Sequence, residues 1–547
     1  MPSVTIDDRT IEVEAGTNLI EAAKKVGVQI PHYCYHPRLS IVGQCRMCLV
    51  QVDGGPKLQA ACSMQVMKDG MQVSTESEAV VEAQKGMMEF FLINHPLDCP
   101  ICDQAGECGL QDYSFKHGQA YSRFQYEDKR TYPEKERIPL GPNVLLNMNR
   151  CIQCTRCIRF THEVSKTGEL GFFNRGARTE IGTFPGKPLD NPLATNVVDI
   201  CPVGALTSTR FRFAERVWYL DKEPSVCTGC DVGCNITLEH RRGKIRRFKP
   251  RFNPEVNDYW MCDYGRETFE DYHRLPRLAA PRRLLDGEPA PSSWGEALDE
   301  LRDRLQAAGN GGSEAGGAAI LGSGNLSTEE AYLLARLAKA TGVDSLPIAT
   351  AGGPERTIPN LKGGITGREA QPNRRGAELA GLGGGAVSAE SLLDGDGADG
   401  LALLVVADSH FGPAAHDADT VARLRKARYL VVLGWADSPL ARAADLALPV
   451  ATPAEKDGTF VNVEHRLQRF ERAFPAPGQI RPAAEVLAEL LARFEAGWEG
   501  AGAAEAFARM AADRAPFAGL DFDLPAIGVA LEVPGAARPQ TAEAAAD

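Results

Sequence analysis

No cysteine follows Cys262, although the chain of 547 residues holds fifteen. No stretch approaches the 18 or more consecutive apolar residues of a membrane span, and the opening MPSVTIDDRT lacks the pattern of a secretory leader. The expectation is a cytoplasmic protein that reaches a membrane only through protein partners. Excess positive charge is missing too: the net charge of −12 favours solubility and argues against a nucleic-acid protein. There is no strand-linked G-x-G-x-x-G for a dinucleotide, no convincing acid–base pair and no nucleophile–base constellation, so no substrate site is expected. Aromatic residues are sparse and hydrophobic content is ordinary. Disulfides would leave one of fifteen thiols unpaired and are not expected in a reducing cytosol.

What is present is a grouping. In order the cysteines fall into Cys34, Cys45, Cys48 and Cys62; Cys99, Cys102 and Cys108; Cys151, Cys154, Cys157 and Cys201; and Cys227, Cys230, Cys234 and Cys262. The group of three is preceded by His95. Fifteen thiols and one imidazole make four sets of four, a soft donor type that suits iron–sulfur clusters or zinc.

The first set has a central x2 pair and a distant fourth thiol, similar to plant-type [2Fe–2S] ferredoxins but with a longer first gap. Gly43 before the pair allows close backbone approach; zinc is the alternative, and His32 and His36 read as ordinary loop histidines. The second set, His95-x3-Cys99-x2-Cys102-x5-Cys108, suits zinc or a [4Fe–4S] cluster. In the third, Cys151-x2-Cys154-x2-Cys157 is one ferredoxin run and Cys201-Pro202 is the end of a second. Counting along both runs puts the four absent ligands of a second cluster at Thr161, Asn191, Ala194 and Val197. The ligands kept are those of one cluster, a residue pattern zinc has no reason to leave. The fourth set suits [4Fe–4S] or zinc. Beside it, Arg241 to Arg251 holds seven basic residues in eleven, which would offset the charge of a thiolate cluster.

Patterning suggests a hairpin of Val4–Ile6 and Ile11–Val13 around Asp7-Asp8-Arg9 and a short helix capped by Thr17. It also suggests a strand at 47–52 and a helix over 77–93 whose core face is Val80, Val81, Met87, Met88, Phe91 and Leu92. After about residue 285 the composition turns to alanine, glycine and leucine. A strand at 318–322, a helix opened by the capping box Ser327–Glu330, and a strand–helix–strand repeat at 401–406, 419–426 and 429–433 predict an α/β domain with a parallel sheet. The glycine-rich stretches 309–317 and 380–400 and the tail from 533 are expected to be mobile or disordered.

These residues resemble a family, the large iron–sulfur G subunits of NADH-quinone oxidoreductase (respiratory complex I). Three signatures carry the resemblance: Pro31-His32-Tyr33-Cys34 to Gly43-Gln44-Cys45-Arg46-Met47-Cys48; Cys99-Pro100-Ile101-Cys102-Asp103 to Cys108-Gly109-Leu110-Gln111; and Arg150-Cys151 through Cys157-Ile158-Arg159-Phe160. Ala105 stands where the second usually has Gly or Ser. The resemblance implies a [2Fe–2S] cluster on the first set and [4Fe–4S] clusters on the other three, the fourth off the main electron path. The C-terminal half resembles a degenerate molybdopterin oxidoreductase through Ala444–Pro449 and Glu455–Arg466, with His465 in place of a glycine. No cysteine remains there to ligate molybdenum, so no molybdenum cofactor is expected and the half reads as scaffold.

The implied fold is a set of α+β ferredoxin-like modules followed by an α/β domain. The expected parts are a [2Fe–2S] β-grasp domain at 1–78, a [4Fe–4S] module with one histidine and three cysteines at 79–139 and a single-cluster ferredoxin-like module at 140–220. A four-cysteine [4Fe–4S] module at 221–283, a scaffold at 284–532 and a tail at 533–547 follow. The implied function is electron relay from a flavin-bearing, NADH-oxidising partner, through further iron–sulfur subunits, towards quinone, peripherally on the cytoplasmic side of the inner (plasma) membrane. The alternative is the diaphorase-type subunit of an NAD-linked hydrogenase, or a formate dehydrogenase.

Overall fold

A computed structural model describes residues 1–309, 316–347, 355–360, 363–383, 392–393, 398–407 and 417–533. The tail beyond 533 and most of the two glycine-rich stretches lie outside the described residues. The chain forms two compact units, Met1–Leu220 and Asp221–Asp547.

The first unit opens with a hairpin in which Ser3–Ile6 pairs with Arg9–Glu12. Its turn is shorter than expected, because Arg9 already pairs with Ile6. Asp7 takes the left-handed backbone there (φ 52°) and accepts hydrogen bonds from the Thr75 amide and hydroxyl, both 2.7 Å. Ser3–Ile6 also runs parallel to Met71–Ser74 inside a five-stranded sheet. Packed with it is the helix Leu19–Lys25, which buries Leu19, Ile20, Ala22 and Ala23. This is a β-grasp arrangement. Asn18, not Thr17, caps the helix by accepting from the Ile20 amide, while the Thr17 hydroxyl donates to the Glu14 carbonyl at 2.7 Å.

The next helix, Glu78–Leu92, turns inward Val80, Gln84 and Met88, a spacing of four. Val81, expected in the core, is exposed, and Gln84 takes a core place instead. Beyond it, Val144–Leu146 and Leu206–Ser208 pair antiparallel and bracket the third cysteine set.

The second unit begins with an antiparallel sheet of Asp221–Val226, Asn235–Arg241 and Lys244–Pro250. Its larger sheet has seven strands among the described residues. Five are parallel, in the order Leu446–Pro449, Leu430–Gly434, Leu403–Ala407, Ala318–Gly322, Asp344–Pro347; the hairpin Arg282–Leu285 and Glu288–Pro291 extends it antiparallel. Leu403–Ala407 and Leu430–Gly434 are buried at every position, as strands covered on both faces must be. Leucines of helices Trp294–Ala308, Thr328–Thr341 and Ala483–Leu491 pack in one core cluster, and those of Ala418–Leu424 and Pro439–Ala443 in a second. The capping box of Ser327 and Glu330 forms as expected.

Candidate metal centres

Cys34, Cys45, Cys48 and Cys62 are all buried. Close thiol–thiol approaches link Cys34 to Cys45 and Cys62, and Cys48 to Cys62. They pull the Cys34 thiol down, while Cys62 is pushed up. The loop turns through left-handed residues at Gly43 (φ 60°) and Arg46 (φ 55°). The third set repeats the device at Gln153 (φ 53°) and Thr155 (φ 63°). Such a backbone costs a side-chain-bearing residue about 1–2 kcal/mol, so it persists only where the surroundings impose it.

In the third set Cys157 lies within electrostatic reach of Cys151, Cys154 and Cys201. The Gln153 amide donates to Cys151 Sγ at 3.4 Å, and burial pushes the Cys201 thiol up to about 12. The four positions without ligands are buried and filled by protein. From the Thr161 carbonyl a chain of hydrogen bonds runs through Ser165 (3.3 Å), Thr167 (2.7 Å) and Glu169 (2.5 Å) to Asn191 (2.9 Å). Ala194 and Val197 are apolar core.

The second set is less enclosed. Cys102 and Cys108 are buried but Cys99 is exposed; Cys108 lies within electrostatic reach of the other two. His95 lines an open cavity of about 840 Å3 together with Cys151 and Gln153. Burial, then Arg150, lowers its imidazole to about 4, so the ring is neutral and able to ligate. Arg150 is the neighbour His95 shares with Cys102. It is buried and donates to Asp98 at 2.9 and 2.7 Å.

The sets of the first unit are mutual neighbours. The Pro202 carbonyl accepts from the Gly109 amide at 3.1 Å, joining the third set to the second. Tyr33 lies within electrostatic reach of both Cys108 and Cys45. Arg156 donates to the carbonyls of Ile200 (3.1 Å) and Tyr35, joining the third set to the first.

In the second unit, Cys227, Cys230 and Cys234 sit on the connection between two strands of the antiparallel sheet, and Cys262 starts the helix Asp263–Glu267. All four are buried, and Cys234 is within reach of the other three. Amides of Gly229 and Gly265 donate to Cys227 Sγ (3.4 Å) and Cys262 Sγ (3.3 Å). Basic neighbours of these sulfurs include Arg356 and Arg266, which lie outside the run Arg241 to Arg251. Within that run, Arg247 pairs with buried Glu239 at 2.6 Å. Residues of the stretch that matches molybdopterin oxidoreductase hydrogen-bond to the backbone of this loop. Asn462 donates to the Val232 carbonyl (3.1 Å), Gln468 to that of Gly233 (2.7 Å) and the Val463 amide to that of Asp231 (2.8 Å).

Among the described residues no three His, Cys, Asp or Glu side chains form a set that could hold one metal ion. The donor chemistry fits clusters: buried thiols pushed up by desolvation become tenable thiolates beside a cationic iron core, and amides already point at sulfur. Glycines leave room as well. A Cβ on Gly265 would stand 2.8 Å from Cys227 Sγ, and one on Gly204 only 2.2 Å from Cys102 Sγ. Gly265 and Arg356 escaped the sequence reading, whereas Arg156, Arg159 and Gly204 stood within the cysteine runs without their places beside the sulfurs being legible.

Comparison with known proteins matches this organisation. Residues 2–78 match a 2Fe-2S iron-sulfur cluster binding domain, 84–123 the NADH-ubiquinone oxidoreductase-G iron-sulfur binding region, and 141–207 the ferredoxin-like domain of NADH-quinone oxidoreductase subunit 3. Residues 220–273 match the molybdopterin oxidoreductase Fe4S4 domain and 401–493 molybdopterin oxidoreductase. The chain is therefore an iron–sulfur protein carrying 2Fe-2S and 4Fe-4S domains ahead of a molybdopterin-oxidoreductase fold. Within that class it is similar to the G subunits of NADH-quinone oxidoreductase. It is 42% identical to the G subunit from Streptomyces coelicolor over 340 residues, 62% of this chain and 39% of the relative. The G subunit from Rickettsia bellii is 42% identical over 56% of this chain and 44% of its own length. The mitochondrial 78 kDa subunit of Neurospora crassa NADH-ubiquinone oxidoreductase is 42% identical over 57% and 41%. The chain thus spans about two-fifths of the length of the curated relatives it matches. A chain of an NAD+-reducing [NiFe]-hydrogenase is 31% identical over 40% of this chain and 91% of its own, with a TM-score of 0.35, too low to bear on the fold.

Proposed function

We propose that this chain is an electron-transfer subunit of an NADH-quinone oxidoreductase, relaying electrons from a flavin-bearing, NADH-oxidising partner towards quinone within proton-pumping complex I. The observation that carries the reading is the order of four cysteine sets along the chain, which is similar to the arrangement in the G-subunit family. Cys34, Cys45, Cys48 and Cys62 would hold [2Fe–2S]. His95 with Cys99, Cys102 and Cys108, then Cys151, Cys154, Cys157 and Cys201, then Cys227, Cys230, Cys234 and Cys262, would each hold [4Fe–4S]. Such clusters accept and release single electrons. The chain's own work is to space the sites, exclude water and aim amides and arginines at sulfur. The six-part division given above is part of the proposal, with residues 284–532 as scaffold for the fourth site; no molybdenum cofactor is assigned.

No helix among the described residues is long and apolar enough to cross a membrane. A peripheral position, on partner subunits at the cytoplasmic face of the plasma membrane, is the proposed location. The test is anaerobic purification with iron, acid-labile sulfide and zinc analysis and electron paramagnetic resonance. Brown protein with one [2Fe–2S] and three [4Fe–4S] signals is expected; colourless protein with stoichiometric zinc refutes the reading.

A further inference from the structure

Arg159 is buried on the helical turn that follows Cys157. One guanidinium nitrogen, Nη2, donates to the carbonyl of Cys34 at 2.5 Å and to that of Cys154 at 3.3 Å. Nε donates to Thr155 Oγ1 at 3.1 Å, and Nη1 to the Ser40 carbonyl. One cation therefore ties the backbone of a first-set cysteine to that of a third-set cysteine 120 positions along the chain. The two thiols it spans, Cys34 and Cys154, are within electrostatic reach of each other. The nearby carboxylate is Glu163, which is exposed and accepts from the Ser40 amide (2.8 Å) and hydroxyl (2.5 Å). Its charge is screened by water, whereas the guanidinium is enclosed.

We propose that Arg159 is a shared positioning and tuning residue for the first and third centres, one buried positive charge that raises both reduction potentials together while its forked donors fix the separation of the two loops. The inference rests on the cluster assignment proposed above. Its physical basis is simple. Reduction adds negative charge to a site, and a cation within a few ångströms in a low-dielectric interior favours the reduced form. Arginine serves because it stays charged when enclosed and its planar fork reaches several carbonyls at once. Lysine could supply the charge but not the fork. Arg156 joins the same two loops through Ile200 and Tyr35, so the architecture does not depend on Arg159 alone.

The test uses the full chain, purified anaerobically with its clusters, as wild type, Arg159→Gln and Arg159→Lys. Glutamine keeps an amide donor and removes the charge; lysine keeps the charge. Iron and sulfide content are measured first, then the potential of each cluster by redox titration followed by electron paramagnetic resonance. In Arg159→Gln both the [2Fe–2S] signal and the third-set [4Fe–4S] signal should titrate at lower potentials. In Arg159→Lys both should stay near wild type. The second-set signal is the internal control, since the basic neighbours of His95 and Cys102 are Arg150 and Lys129. A shift confined to one cluster, no shift in either, or equal shifts in both variants overturns the proposal. Loss of either cluster from both variants assigns Arg159 to folding alone and also overturns it. Wild-type chain without iron and sulfide would instead sink the cluster reading beneath it, an outcome the first measurement separates from the rest.

Discussion

Gly204 lies against Cys102, 102 positions earlier in the chain, so closely that a Cβ on it would stand 2.2 Å from the sulfur. The residue following the third set's closing Cys-Pro-Val is thus part of the wall of the second set. Alanine there cannot be absorbed without moving the thiol or the loop, because the next neighbours are Gln104 Cβ at 3.1 Å and Arg150 Cδ at 3.8 Å. Gly204→Ala is expected to lose the second-set cluster, read as one [4Fe–4S] equivalent of iron and one resonance signal, while the first-set signal survives. Gly265→Ala should do the same to the fourth set, where the new atom meets Cys227 at 2.8 Å and Cys262 at 3.5 Å.

The contrast between the cysteines and these glycines shows what the sequence could reveal. Ligand spacing within a set is local, so Cys151-x2-Cys154-x2-Cys157 and the four emptied positions were legible by counting. The polar chain from Ser165 through Glu169 to Asn191 that occupies the emptied site was not, because it depends on how two distant runs face each other. Neither Arg46, Gln153 nor Thr155 announces a left-handed backbone, as a glycine would. Asn18 caps in place of Thr17 because the strand Thr17–Asn18 carries the chain one residue further before the helix begins at Leu19. Val81 and Gln84 exchanged roles because a stripe repeating every four residues through Met88 is narrower than the apolar content of that helix. The parallel sheet was legible because doubly covered strands need unbroken apolar runs.

His465, which stands where the family resemblance has glycine, adopts φ 58°. It turns the hairpin between Gly458–Val461 and Arg466–Phe470, and its carbonyl accepts from the Leu531 amide at 2.9 Å. The side chain pays a steric cost there that glycine does not, partly offset because glycine has more freedom to lose on folding. His465→Gly should therefore stabilise the second unit by about 1 kcal/mol. Denaturant titration of its unfolding transition reads this directly; destabilisation would mean the imidazole makes contacts that outweigh the strain.

Lys456 and Glu330 form an ion pair of 2.7 Å, with 6% and 1% of their side chains exposed. Glu330 also accepts from the Ser327 amide at 2.9 Å in the capping box. Removing only the cation strands a buried carboxylate, a loss of about 3–5 kcal/mol, so Lys456→Met should markedly lower the unfolding midpoint. The double variant Lys456→Met/Glu330→Gln should recover most of it, since glutamine preserves the cap without the charge. Equal midpoints for single and double variants would show that the pair's charge is not what matters.

Glu329, one residue earlier, is wholly buried, and among the described residues no cation pairs with it. Its carboxylate accepts from Thr459 Oγ1 at 2.6 Å and from the Thr459 amide at 3.1 Å, but desolvation outweighs these donors and raises it to about 7 from an ordinary 4.5. The folded chain therefore holds this proton over a range in which the unfolded chain has released it. Between about pH 4.5 and pH 7 the folded state binds more protons, so stability falls as pH rises. The contribution is complete below about 4.5 and gone above about 7, on the order of 3 kcal/mol at 1.4 kcal/mol per pKa unit. Glu329→Gln, neutral at every pH and able to accept from the same hydroxyl, should flatten this part of the profile and leave the variant more stable than wild type at pH 8. Unfolding midpoints measured from pH 5 to pH 8 on both proteins decide it: parallel profiles would mean that Glu329 is ionised throughout, with the Thr459 donors sufficient to hold its charge.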